Sequence, residues 1–191
     1  MEKLRDHDVR EILLEKLTSI HEHEQDTRII NELAVCGGLS RVDVAVVNGV
    51  LHGYEIKSES DTLYRLQSQM TEYNKVFERV TIVAAEDFLP KLRETVPPWW
   101  GIMVVKNRKG KILLNSVKKG RKNPSIEADS LVQLLWRQEA LELLKKRGLE
   151  KGFLSKPKAA IYDQLVKEIP LRELVNEVND VLKYREGWRE Q

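Results

Sequence analysis

Apolar and polar positions alternate along this chain with two periods. Residues 2–18 carry Leu4, Val9, Ile12, Leu13, Leu14 and Leu17 at roughly helical spacing, and Asp6 and Asp8 favour the early turns. A polar break at 21–26 follows. Residues 27–35 are short and β-compatible, and Gly37-Gly38 predicts a turn. Residues 41–47 alternate strictly, with Val42, Val44 and Val46 on one face and Asp43, Ala45 and Val47 on the other.

Asn48-Gly49 is a strong hairpin signal, and 50–57 reads as the returning strand. A two-residue loop sets Val47 against Val50 and Asp43 against Tyr54. Glu55 then falls one residue out of line with Asp43, on the opposite face. A bulge, a strong twist or an extended loop is needed to bring both carboxylates to one side.

Asp61 is placed to cap a helix carrying Leu63, Leu66, Met70, Tyr73 and Phe77 on one face. A buried strand is expected over 80–85 and a helix over 87–95. Two further strands, 99–105 and 111–117, flank residues 107–110. Beyond Pro124 the pattern is helical over 127–147, 157–168 and 170–184. This order predicts an α/β or α+β protein with a mixed sheet. Residues 1–122 form its core, and 123–191 form a helical C-terminal subdomain on or beside it.

Composition narrows the class. Of 191 residues, 41% are apolar and 32% charged, which suits a folded soluble chain. No apolar run approaches a membrane span, and the N-terminus has no signal-like core, so a cytoplasmic protein with no membrane contact is expected. The single cysteine, Cys36, excludes an internal disulfide framework and a cysteine-built zinc site. The net charge of +2 hides an asymmetry. Residues 1–61 hold 13 acids against 7 bases, 62–122 hold 5 against 13, and 123–191 hold 12 of each. Within 106–122 there is no acid, while Lys106, Arg108, Lys109, Lys111, Lys118, Lys119, Arg121 and Lys122 are basic. Such a run suits contact with a phosphate backbone; lysines protecting a solvated strand edge are the alternative. If it contacts substrate, it should flank the cleft that does the chemistry.

The sharpest chemical feature is Asp43 followed by Glu55-Ile56-Lys57. Two carboxylates on paired strands can converge on a hard cation such as Mg²⁺. Lys57, two residues after Glu55, points to the same side and can hold a water or neutralise a phosphate. A lone acid-x-Lys triplet is weak by itself, and a structural ion pair is the alternative. From spacing alone Tyr73 reads as core and Gln69 as surface. Glu11 and Glu15 read as a solvated helix face.

With these residues in place, Arg-Val-Asp43-Val-Ala and Gly-Tyr-Glu55-Ile-Lys57-Ser resemble the PD-(D/E)xK nuclease superfamily, with its restriction-endonuclease-like αβββαβ core. Val42 stands where the naming proline would be. The resemblance implies Mg²⁺ or Mn²⁺ bound by Asp43, Glu55 and the Ile56 carbonyl, with Lys57 assisting the attacking water. Gln69-Met-Thr-Glu-Tyr73 is similar to the Gln-x-x-x-Tyr element of RecB-like members, which makes Gln69 and Tyr73 supporting residues. Glu32 resembles an extra acid that serves some members as a further ligand, and Glu11 is a weaker candidate for a similar role. The whole chain is also similar to a group of small bacterial and phage proteins of this superfamily. That similarity runs through Asp6-x-x-x-Arg10, Asp61-Thr-Leu-x-Arg65-Leu, Pro98-Trp-Trp-Gly101 and Leu135-Trp-Arg137. The expected activity is hydrolysis of nucleic acid, DNA before RNA, with Arg65 and the basic run touching substrate. A non-catalytic nucleic-acid-binding or assembly module on the same fold is the alternative. A homodimer or another protein partner is left open.

Overall fold

A computed structural model describes residues 3–24, 26–108 and 111–188. The elements run α1 (Asp6–Ile20), β1 (Arg28–Val35), β2 (Ser40–Val47), β3 (Leu51–Lys57), α2 (Leu66–Val76), β4 (Arg79–Ala85), α3 (Leu89–Thr95), β5 (Gly101–Arg108) and β6 (Lys111–Lys118). They continue with α4 (Ala128–Leu131), α5 (Arg137–Lys145), α6 (Lys158–Glu168) and α7 (Leu171–Tyr184). The strands form one mixed sheet in the order β1-β2-β3-β4-β5-β6. β1, β2 and β3 are antiparallel, β3, β4 and β5 are parallel, and β6 returns antiparallel to β5. The protein is therefore a mixed α/β chain, as its periodicity predicts.

Each sheet face has its own apolar core. Val9, Leu13 and Leu17 of α1 pack on Val44, Val46, Ile56, Val83 and Met103. The other face is larger. There Met70, Tyr73 and Phe77 from α2 and its C-cap meet Val47, Leu51, Ile82, Ile102 and Trp100. Leu131, Leu144, Ile161, Leu165 and Val178 of the C-terminal helices belong to that same cluster. β4 and β5 are buried almost continuously, and the period-two pleat sends Ile82, Ala84, Ile102 and Val104 to one core and Val83, Met103 and Val105 to the other. Each fully buried aliphatic side chain contributes roughly 1.5–3 kcal/mol. Trp100 is completely buried, and its indole N–H is satisfied by Asn74 Oδ1 at 2.9 Å. Among the described residues no helix is long and apolar enough to cross a membrane.

Three local expectations are corrected. The hairpin pairs Val47 with Leu51 and Val44 with Tyr54, so its loop has three residues, 48–50, not two. Gly49 takes the left-handed conformation at φ 66°, as three-residue hairpin loops commonly require. Asp61 does not cap α2. Its Oδ2 instead accepts the Ser58 N–H at 2.8 Å and the Ser58 hydroxyl at 2.7 Å, closing the turn after β3. The helical span expected over 127–147 breaks before α5, where the Trp136 N–H turns to Glu139 Oε2 at 2.6 Å.

Candidate metal and phosphate site

The three-residue loop has a direct chemical consequence. With Val44 against Tyr54, the next rung sets Asp43 beside Glu55 on neighbouring strands. On the other side of β2, Asn31 pairs with Val44 and Leu33 with Val42, so Glu32 is level with Asp43. Glu32, Asp43 and Glu55 thus form one row across β1, β2 and β3.

This row interrupts the ladder. Glu32 has φ 56°, a left-handed value uncommon for a residue with a side chain. Ile30 and Leu33 both enter the larger core, as do Val42 and Ala45, although residues three apart in a regular strand face opposite ways. Alternation therefore slips by one on both strands at the same rung. Arg10, from α1, reaches this break. Its Nη1 donates to the Asp43 carbonyl and its Nη2 to Asp43 Oδ1, both at 2.8 Å. Nη2 also lies 2.9 Å from Glu32 Oε1 and 3.2 Å from Asp6 Oδ1. Burial works against the guanidinium charge, but Asp43, Asp6 and Glu32 outweigh it and hold its pKa above the ordinary value.

Asp43 is pulled both ways. Burial first, then the neighbouring Glu55 charge, push its pKa from 3.8 up to about 7. The Ile56 N–H, which donates to Asp43 Oδ2 at 2.7 Å, and Arg10 oppose that rise. Glu55 and Lys57 are both buried polar residues. Glu55 Oε1 accepts from Lys57 Nζ and from Gln69 Nε2, each at 2.5 Å. Its Oε2 accepts from the Tyr73 hydroxyl at 2.7 Å, which also lies 2.6 Å from the Arg41 carbonyl. Burial and then the Glu55 charge raise the Tyr73 pKa, keeping the phenol protonated as a donor. Gln69 and Tyr73, four residues apart on α2, therefore present one pair of donors to one carboxylate.

These groups open into a cleft of roughly 750 Å³ whose walls include Asp6, Glu32, Asp43, Glu55, Lys57 and Gln69. Ile56 also lines it, and Arg41 and Arg65, both exposed, stand at its rim. Gln69 Oε1 is buried without a hydrogen-bond partner, because the amide is oriented by Glu55 through its nitrogen. Hard oxygen donors and one unpaired buried oxygen are a donor set that suits Mg²⁺ or Mn²⁺. Among the described residues no three His, Cys, Asp or Glu side chains already converge as a metal cage. Arg10 and Lys57 are instead bonded to the acids.

The remaining sequence candidates divide. Glu11 is exposed on α1 and does not line the cleft; its neighbour Arg10 and Asp6 reach the site instead. Asp6-x-x-x-Arg10 held a legible i, i+4 pair, but nothing local tied it to Asp43.

The basic run does not flank the cleft as one patch. Strand β6 separates its ends by seven rises, about 23 Å. Lys106 lies two strands from Lys57 and pairs with Glu86. Arg108 and Lys111 oppose each other at one end of the β5–β6 hairpin, and Lys109 lies outside the described residues. At the other end, Lys118 and Arg121 line a separate groove with Arg93. That groove adjoins the cleft across α2, sharing Thr71 with it. Lys118 Nζ lies 3.5 Å from the Pro97 carbonyl and Arg121 Nη2 3.4 Å from the Pro98 carbonyl, and among the described residues neither forms an ion pair with an acid. Partial burial, then Arg121, lower the Lys118 pKa. Lys119 and Lys122 are exposed beside them.

A six-stranded mixed sheet with an acid-lysine cluster where β1 and β2 break their alternation is the class of protein that this fold and site define. The chain belongs to the family of bacteriophage P4 protein cII, which it matches over residues 1–190. Protein cII of Enterobacteria phage P4 is 31% identical over 148 residues, which make up 78% of this chain and 56% of that protein. The chain thus spans little more than half the length of that curated relative. A solved protein of unknown function from Silicibacter pomeroyi aligns with 73% of this chain and 92% of its own, at 19% identity and a TM-score of 0.40.

Proposed function

We propose that this protein is a Mg²⁺- or Mn²⁺-dependent nuclease of the PD-(D/E)xK type that hydrolyses phosphodiester bonds in DNA. One observation carries the reading: Asp43, Glu55 and Lys57 share one cleft at adjacent positions of β2 and β3. The order α1-β1-β2-β3-α2-β4 agrees with the αβββαβ core of the restriction-endonuclease-like fold.

In this reading Asp43, Glu55 and the Ile56 carbonyl hold the divalent ion. Bound there, the ion supplies charge neutralisation at the phosphate and makes water more acidic. Lys57 Nζ, already directed by Glu55, positions the attacking water and stabilises negative charge developing on the phosphoryl oxygens. The water oxygen bonds to phosphorus as the phosphorus–ester oxygen bond breaks; the water gives up one proton to solvent and the leaving oxygen takes one up from solvent. Gln69 and Tyr73 hold Glu55 in one orientation, the work of groups behind a metal ligand. Arg65 meets the backbone at the rim. Lys118 and Arg121 meet it again beyond α2.

The test is incubation of circular single- and double-stranded DNA with Mg²⁺ or Mn²⁺. Cleavage that falls at least about 100-fold in Lys57→Ala and in Asp43→Asn supports the nuclease. DNA retained but never cut, with a steep salt dependence, favours a binding module on the same fold.

A further inference from the structure

The cleft holds more carboxylate than a single small cation requires. Asp6, Glu32, Asp43 and Glu55 supply four carboxyl groups, enough in principle for two divalent ions. Their partners are unevenly distributed. Lys57 is bonded to Glu55 on the β3 side. Arg10 gathers the other three, reaching one oxygen each of Asp6, Glu32 and Asp43 from a single nitrogen. It is anchored a second time by the Asp43 carbonyl, at the rung where Glu32 leaves the ladder. A guanidinium so placed is a permanent cation on a packed helix, not a mobile counter-ion.

We infer that Arg10 occupies the place of a second metal ion, so that the site takes one divalent cation, between Asp43 and Glu55. The inference rests on the reading of this cleft as a metal site. Asp6 and Glu32 then serve as ligands of Arg10 and not of metal. Arg10 is a positioning residue: it restrains Asp43 from one oxygen while Ile56 restrains it from the other. Removing the guanidinium releases Asp6, and leaves Glu32 with only the exposed Arg41 at 3.7 Å, so both become available as hard ligands beside Asp43 and a second ion can enter.

The experiment counts Mn²⁺ by calorimetric titration and by electron paramagnetic resonance of the free ion, on the full chain without DNA. The expected result is one Mn²⁺ in the wild type and two in Arg10→Ala, the second weaker. Two ions in the wild type, or one in both proteins, overturns the inference while leaving the metal site standing. No bound Mn²⁺ in the wild type overturns both. Should Arg10→Ala fail to fold, Glu32→Gln decides. If Glu32 holds Arg10 alone, Mn²⁺ affinity changes by less than about threefold. If Glu32 is itself a ligand, affinity falls about 10- to 100-fold and the inference fails.

Discussion

Asp43 on β2 accepts the backbone N–H of Ile56 on β3 through Oδ2, at 2.7 Å. Ile56 is the residue between Glu55 and Lys57, so the first acid is tied to the backbone that carries the second acid and the lysine. Side chains 12 and 14 residues apart are held in register without depending on flexible rotamers. This is the preorganisation that a hydrolytic site needs before its cation or substrate arrives.

The protonation of Asp43 gives a first prediction. Its pKa near 7 in the fold exceeds the ordinary 3.8. Between those values the folded chain keeps a proton that the unfolded chain has released, so stability falls as pH rises from about 4 to about 7 and then levels. The same proton competes with a divalent cation. Apparent Mn²⁺ affinity is expected to rise about tenfold between pH 6 and pH 8. Titration at three pH values checks this, and a flat profile contradicts it.

Tyr73→Phe removes the one phenolic proton that the buried Glu55 Oε2 and the part-buried Arg41 carbonyl share. A loss of about 1–3 kcal/mol is expected, read from the urea midpoint by tryptophan fluorescence. Mn²⁺ affinity should fall as well, by about tenfold, because Glu55 is no longer oriented. Unchanged stability would mean that water replaces the hydroxyl.

Glu32 tests the break in the ladder. Glu32→Gly and Glu32→Val both delete the carboxylate that meets Arg10, but only glycine is at ease at φ 56°. The valine variant should be less stable than the glycine variant by about 1–3 kcal/mol. In an ordinary strand the order would be reversed, because valine favours extended backbone. Thermal unfolding of the two variants distinguishes the cases.

For the basic residues the prediction concerns position. Replacing Lys118 and Arg121 together by alanine should weaken DNA retention and reduce the salt slope by about 2, as loss of two phosphate contacts requires. Lys106→Ala should change it little, since Glu86 already neutralises that lysine. Filter binding over a range of salt concentrations reads both, and an effect larger at Lys106 would move the DNA path to the other end of β5.

Much of the fold was legible because it is local. Alternation at 44–47 marked β2, although Val42, expected beside Val44 and Val46, faces the other core; helical spacing marked α1, and the apolar stripe at Met70, Tyr73 and Phe77 marked the face of α2. The hairpin register was not legible. Asn48-Gly49 announces a turn but not its length, and one extra loop residue moves Glu55 from the wrong face to the row of Asp43. The helix expected over 127–147 failed for a similar reason. Composition favoured helix throughout, while capping by Glu139 starts a new one at Arg137.

The sequence by itself determined which groups are available: two acids and a lysine at strand spacing, a Gln and a Tyr one helical turn apart, and a run of bases without acids. Periods of 2 and 3.6 are properties of the chain, so these needed no partner. Tertiary structure decided who meets whom. It brought Arg10 from α1 onto Asp43, turned Gln69 and Tyr73 toward Glu55, and drew the two ends of the basic run apart along β6. Charges adjacent in sequence share a patch only if the backbone between them turns back, and an extended strand carries them apart. Asp6, Glu32, Asp43 and Glu55, spread over 50 positions, meet in one cleft because three strands and a helix fold onto one another around two apolar cores.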